Sequence, residues 1–465
     1  MMIVMLAVVS VDEVLGQDAP FYAPTKPSRA AQRRARRDSL GNPPRFGRAM
    51  IPFAAAQLVP FFVNRTIRKV EFANISWEST KTNIKPSSWA WDNDPFHTNQ
   101  FAHPYHGSIF YNSFRSSGYN FWQSAGGAAA GSYLWETFAE KQAPAPNDFI
   151  NTTFGGVVLG EMTHRLSNKI INNHTGGFKR QAAEVAGFII NPAGGLNRIL
   201  DGKWGKVTSN TLQDDSSKIT AEFDVGYRKF NATSQSLFGG SAQSGWYAHA
   251  KLLYGTPSEG FRVPFSNIVI NAEVGKDDST AINMVTVYGS LTGWQLNNAE
   301  EVKQLLVLSA NYDYIHTAAF FYGGQSVKAN LYSEFKPIKD IQINTTVGMG
   351  PILLAAVPAA YLAAGRNYDY GVGFGVNGGG KICYKDRLAF TANYNGGWTR
   401  TVNGNHSNYF LHTVSGEVSY RMVGNLHAMA QSGYYGLEGN YQDKPELDRR
   451  YPYLKIAARL ALNIK

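Results

Sequence analysis

Four residues in the N-terminal half have the types and spacing to do chemistry. His103 and His106 stand three apart in His103-Pro-Tyr-His-Gly107, so a helix starting at Pro104 turns both to one side. Glu161 and His164 stand three apart in Gly160-Glu-Met-Thr-His-Arg165, the i, i+3 geometry that carboxylate-rich di-metal bundles use. Converging, the four offer a general acid and base, or ligands for a metal. They are the candidate catalytic residues; no metal and no cofactor is assigned.

A competing reading needs no catalysis. Trp, Asp, His and Arg in a tightly packed helical domain commonly form a buried hydrogen-bond network that fixes its shape. Trp91, Asp92, Asp94, Arg115, Glu136, Glu140 and Asp148 are the candidates for that network, and Arg115, Glu136 and Glu140 fit either arrangement. The chain has no Gly-x-Ser-x-Gly elbow, phosphate-binding loop, dinucleotide glycine pattern or zinc-ribbon cysteines, which argues against the common soluble enzyme classes. Its single cysteine, Cys383, excludes an internal disulfide framework.

The elements that must position these residues read as helices. Residues 107–190 predict three or four, with breaks at Gly118, around Pro144-Ala-Pro146 and near Gly176-Gly177. Asn147 or Asp148 is the expected cap of the helix running to about Asn172. Two helices carry Gly-x-x-x-Gly spacing, Gly127 with Gly131 and Gly156 with Gly160, which suits close backbone packing.

From Lys218 the period changes to two. Lys218, Thr220, Glu222, Asp224 and Arg228 fall on one face, with Ile219, Ala221, Phe223, Val225 and Tyr227 on the other. The pattern returns where Val327, Ala329, Leu331 and Phe335 oppose Lys328, Asn330 and Glu334, and where Leu454, Ile456, Ala458 and Leu460 oppose Lys455 and Arg459. With weaker segments included, roughly 12 strands of about 9–13 residues result, the length and parity of a membrane barrel. Lys218, Glu222, Asp224, Lys328, Glu334, Lys455 and Arg459 are the expected lumen-facing residues. Turns are expected at 275–278, 377–380, 385–387 and 403–405. Trp246, Tyr254, Trp294, Tyr312, Tyr314, Tyr368, Tyr370, Tyr451 and Tyr453 are the expected interfacial aromatics.

The fold class expected is therefore α+β, an N-terminal helical domain rich in small residues followed by an antiparallel transmembrane β-barrel. The divisions are a signal peptide at 1–17, a basic proline-containing linker at 18–49, the helical domain at 50–206 and the barrel at 207–465. A net charge of +10 suggests nucleic acid until it is located. Between Asp18 and Ala49 eight Lys or Arg stand against two Asp, a net +6, so the remainder is near neutral. Such a stretch suits anionic lipid head groups, and no nucleic-acid partner is expected. No run of about 18 uninterrupted apolar residues follows Pro20, so a spanning helix is not expected. The helical domain is too large for a lumen of this strand number and is expected on the periplasmic side.

At Trp91-Asp-Asn-Asp-Pro-Phe96, His103-Pro-Tyr-His-Gly107, Trp135-Glu136, Asn147-Asp148 and Gly160-Glu161 the sequence resembles an uncharacterised family of Gram-negative envelope proteins, known as a domain of unknown function. The resemblance runs from about Trp89 to Lys203 and continues more weakly at Gly365-Arg-Asn-Tyr-Asp-Tyr-Gly371. It implies the bacterial outer membrane and no known activity, so it assigns no catalytic residue. The expected function is transport or envelope maintenance, with outer-membrane lipid and a periplasmic protein as partners. A lipid-acting hydrolase using the His/Glu set and a non-catalytic assembly protein are the alternatives.

Overall fold

A computed structural model of the chain describes residues 43–172, 175–207, 218–233, 235–255, 261–276, 280–338, 340–363 and 365–464. The signal peptide and most of the basic stretch lie outside the described residues. The chain divides into two compact units, one holding the helices and one holding the strands.

In the helical unit, α1 (Phe46–Phe62) continues through a π-helical turn at Val63–Arg68. Then follow α2 (Trp77–Asn83), α3 (His103–Arg115) and α4 (Phe121–Phe138). A short α5 (Pro146–Ile150) passes through a π turn at Asn151–Gly155 into α6 (Gly156–Ile171), and α7 (Gly177–Ile190) and α8 (Pro192–Leu200) complete the unit. Local chemistry sets the ends. Ser76 with Ser79, and Asn120 with Gln123, form reciprocal capping boxes on α2 and α4. The breaks fall where the glycines and prolines put them, with Gly118 and Gly177 at positive φ. The expected cap at Asn147 or Asp148 is corrected: Ala145 precedes the helix, Pro146 opens it, and the Asn147 side chain is turned away to accept from the Asp92 N–H.

Helix α3 is the centre of this unit, packed against α4 on one side and α6 on the other. The glycine spacings make that possible. A Cβ on Gly156 would lie 2.5 Å from the Gly107 carbonyl carbon, and one on Gly107 only 1.8 Å from the Thr152 carbonyl oxygen. On the other side the phenyl rings of Phe110 and Phe114 occupy the space that side chains at Gly131 and Gly127 would need. Phe46–Arg68 is long and apolar enough to cross a membrane by length and composition alone, with a mean hydropathy of 1.4 over its most apolar stretch, although Pro52, Gln57 and Pro60 interrupt the apolar run, as expected from the sequence.

The second unit is a closed antiparallel barrel of 12 strands with β1 paired to β12. The strands are β1 (Ile219–Phe230), β2 (Gln243–Tyr254), β3 (Ile268–Gly275), β4 (Ile282–Asn298), β5 (Val302–His316), β6 (Phe321–Ile338), β7 (Ile341–Ala363), β8 (Arg366–Tyr384), β9 (Leu388–Asn403), β10 (Ser407–Val423), β11 (Leu426–Tyr441) and β12 (Leu447–Ile464). Closure leaves no unpaired edge, which is what lets strands cross a bilayer.

Several strands exceed expectation, those from β6 to β12 running from 16 to 23 residues. In β7 the register shifts around Ile352–Ala355 and Pro358–Ala363, which breaks the alternation that would have announced the strand. Asn377-Gly-Gly-Gly380 is not a turn but lies inside β8, where a Cβ on Gly379 would lie 2.6 Å from the Asn393 amide oxygen of β9. The turn at 385–387 is real, with Lys385 and Asp386 both at φ 50°. Residues 277–278 lie outside the described residues.

Candidate functional site

The helical unit splits the four candidate residues among three environments. His106 sits one turn into α3, its Nε2 2.9 Å from the Ala56 carbonyl oxygen of α1, its ring packed between Phe110 and Trp135. Burial lowers its pKa to about 4, so it is neutral. His103 faces the other way, with Nδ1 3.3 Å from the Thr152 hydroxyl and Nε2 3.8 Å from Asp148. Burial also lowers its pKa, against the pull of Glu140, Asp92 and Asp94. A convergent set of His103, His106, Glu161 and His164 is thus corrected: each pair keeps its spacing, but packing gives each member different partners. Among the described residues no three His, Cys, Asp or Glu side chains are grouped to hold a metal ion.

Glu161 is held instead between two guanidinium groups. Arg115 donates through Nε and Nη2 to both its oxygens at 2.8 and 3.2 Å, Arg165 donates at 2.9 Å, and the Tyr111 hydroxyl donates at 2.7 Å. Burial raises the carboxyl pKa, but the two arginines overcome it and hold the group below the usual carboxylate range. A carboxylate with both oxygens committed is a clamp between α3 and α6 rather than a base. His164, one turn on, is pushed down to about 3 by burial and by Arg115, and lies near Ser116 and Asn168.

The remaining acids gather at the C-terminal end of α4. Glu140 accepts from the Trp135 indole at 2.6 Å, and Glu136 accepts from the Ala145 N–H at 3.3 Å. Asp92 accepts from the Asn99 amide at 3.2 Å, and Asp148 from the Asn147 amide at 2.7 Å. Burial, reinforced by the neighbouring carboxyls, raises Glu136 well above its ordinary value. Glu140 rises to about 7, mainly by burial and despite His103. Asp94 is raised by burial and by Asp92. Trp91 is half-buried beside them.

In the barrel unit, strand alternation separates two surfaces. Val225, Tyr227, Trp246, Val347, Met349, Phe374, Phe390, Trp398, Val418 and Ile456 are exposed and apolar, as a lipid-facing surface requires. The residues between them point inward, and there the charges meet. Arg459 of β12 donates to Asp224 of β1 at 2.7 and 3.0 Å and to Glu417 of β10 at 2.5 and 3.0 Å, with Glu222 3.6 Å away. A second node joins Arg228 of β1 and Lys455 of β12 through Glu273 of β3. His249 of β2 approaches Asp224 at 3.3 Å.

Across the barrel a chain of amides and a hydroxyl lies among further charges: Asn377 donates to Asn330, and Asn330 donates to Ser309. Lys328 stands opposite Ser309 in the register, and Glu334 is bridged by Lys336 at 3.3 Å and Gln342 at 3.4 Å. Lys218 is exposed just before β1. The same inward faces carry an apolar cluster of Ile352, Leu411, Leu437, Tyr441 and Tyr451, joined by Phe320 from the β5–β6 turn, which stacks on Tyr435 at 5.0 Å. Near Arg459 a cavity of about 20 Å³, roughly one water in size, is lined by Glu222, Lys381, Cys383, Glu417 and His427.

Sequence reasoning missed Glu273 and Glu417, which lie in strands of irregular alternation, and it mistook the aromatics. Trp246 and Trp294 are exposed, but Tyr254, Tyr312, Tyr314, Tyr368, Tyr370, Tyr451 and Tyr453 are buried. Tyr368 and Tyr370 instead hold the Arg366 guanidinium over their rings. Tyrosine at a strand end marks a buried ring as readily as one at an interface.

Fold and sites together define a two-unit protein, a helical unit with a buried acid cluster and a closed 12-strand barrel with a charge-bridged interior. Residues 88–193 match a protein family described as a domain of unknown function (DUF3943). No curated protein matches the chain. Among solved structures the chain is similar to the NanC porin, at 8 % identity and a TM-score of 0.30, over 51 % of this chain and 98 % of that one. It is also similar to the outer-membrane channel DcaP of Acinetobacter baumannii, at 8 % identity and 0.25, over 54 % and 99 %. The TodX monoaromatic hydrocarbon channel matches at 8 % and 0.25, over 54 % and 90 %.

Proposed function

We propose that the protein is a bacterial outer-membrane barrel whose lumen is a gated passage for small polar solutes, shut while its inward charges are paired. The observation that carries this reading is Arg459, whose one guanidinium ties β12 to β1 and β10 through two carboxylates. A barrel that serves only as an anchor gains little from buried charge, because replacing a buried ion pair by packed apolar groups is often neutral or stabilising. Bridged charges in a polar lumen suit a barrier that has two arrangements, paired and shut or parted and hydrated. The apolar cluster around Phe320 and Leu411 suits a second barrier, from which water is readily expelled.

The test is efflux of a small neutral sugar from liposomes holding the full-length protein. Arg459→Gln leaves Glu222, Asp224 and Glu417 to repel one another and draw in water. The expected result is slow efflux for the native chain and at least tenfold faster efflux for the variant, a change of about 1.4 kcal/mol in the closing equilibrium. Equally tight liposomes, with both proteins inserted and heat-modifiable on a gel, count against a passage.

A further inference from the structure

Helix α1 buries only one side. Ala49, Pro52, Phe53 and Ala56 are buried, with Phe53 and Ala56 packed among Phe110, Trp135 and Ala139. On the other side Ile51, Leu58, Val59 and Phe62 follow the spacing of a single helical face and stay 45 to 59 % exposed. A stripe of four large apolar side chains on one face is costly to leave in water.

The charge around the stripe says what covers it. From Arg45 to Val70 the chain has five basic residues and no Asp or Glu. Arg45 and Arg48 are paired with Asp201, whereas Arg65, Arg68 and Lys69 stand exposed at the C-terminal end of the stripe. Six more, Lys26, Arg29, Arg33, Arg34, Arg36 and Arg37, precede the helix in sequence. A second copy of this chain would bring the same cations to the contact. Among the described residues acids touch only the ends of the stripe, Asp201 at Arg45 and Arg48 and Glu71 on Lys141, so the face with its three exposed cations Arg65, Arg68 and Lys69 instead matches acyl chains beneath anionic head groups.

We propose that α1 lies in the plane of an anionic bilayer surface, with Ile51, Leu58, Val59 and Phe62 among the acyl chains and Arg65, Arg68 and Lys69 on the lipid phosphates. This rests on the membrane reading of the barrel, and the experiment separates the two. The full-length protein in a Cys383→Ala background carries a fluorophore at Leu58→Cys, at Phe62→Cys or, as the aqueous reference, at Lys81→Cys on the exposed side of α2. It is reconstituted into vesicles of phosphatidylethanolamine and phosphatidylglycerol containing a nitroxide-labelled lipid.

The inference expects strong quenching at positions 58 and 62 and little at 81. Replacing phosphatidylglycerol by phosphatidylcholine, or Arg65, Arg68 and Lys69 by Gln, weakens surface occupancy by about fivefold per charge removed. Protein that floats with the vesicles while labels at 58 and 62 stay as water-accessible as at 81 overturns the inference and leaves the barrel reading standing. Quenching unaffected by either charge change overturns the role given to anionic lipid. Protein that does not float overturns the barrel reading itself.

Discussion

Glu140 and Glu136 show how a single buried group sets a pH dependence. Burial raises both, helped by Glu140 and Asp148 at Glu136 and by Asp148 and Asp92 at Glu140, which goes from an ordinary 4.5 to about 7, so the folded chain keeps protons that an unfolded chain gives up. The resulting stability is full below about pH 4.5 and is lost as the pH rises through about 7. The buried histidines run the opposite way. His106 at about 4 and His164 at about 3 are neutral when folded, so their contribution is full above 6.5 and is lost as the pH falls through those values. Glu136→Gln with Glu140→Gln should therefore stabilise the helical unit by on the order of 1–3 kcal/mol at about pH 8 and leave it unchanged near pH 4. Helical circular dichroism during urea unfolding reads this. A double variant no more stable than the native chain at about pH 8 contradicts the assignment.

Packing at the scale of the element depends on what is missing from a helix as much as on what it carries. Helices α3 and α6 touch through Gly107 and Gly156, so Gly107→Ala must push the Thr152 carbonyl away. We expect a loss of about 2–4 kcal/mol in the same unfolding assay, with the barrel's strand signal unchanged. A loss below about 0.5 kcal/mol would show that the two backbones part easily. This packing was legible in the sequence, because glycines four apart on an apolar helix have few other uses. The Glu161 clamp was not, because i, i+3 spacing puts Glu161 and His164 on one face without saying that Arg115 reaches that face from α3. Strand β1 was legible because its two faces differ in every residue type. Strand β7 beyond Gly350 was not, because prolines and register shifts erase the period.

On the scale of the whole molecule, the barrel could be foreseen and its interior could not. Alternation predicts which residues face inward, but not that Arg459 spans from β1 to β10, since that depends on closure between the first and last strands. If that bridge is the gate, the single cysteine should report it. Cys383 lines the cavity that Arg459 and Glu417 border, so a small charged thiol reagent should modify it slowly in the native protein and at least tenfold faster after Arg459→Gln. Equal rates would place the barrier elsewhere in the lumen. The most direct measurement is single-channel recording of the full-length protein in a planar bilayer. The account predicts a mostly closed native barrel, and an Arg459→Gln variant that conducts and prefers cations, because removing the guanidinium leaves Glu222, Asp224 and Glu417 with only Lys251, Lys381 and His249 among the described residues to oppose them. A native barrel that conducts steadily, or a correctly inserted variant that never conducts, would contradict it.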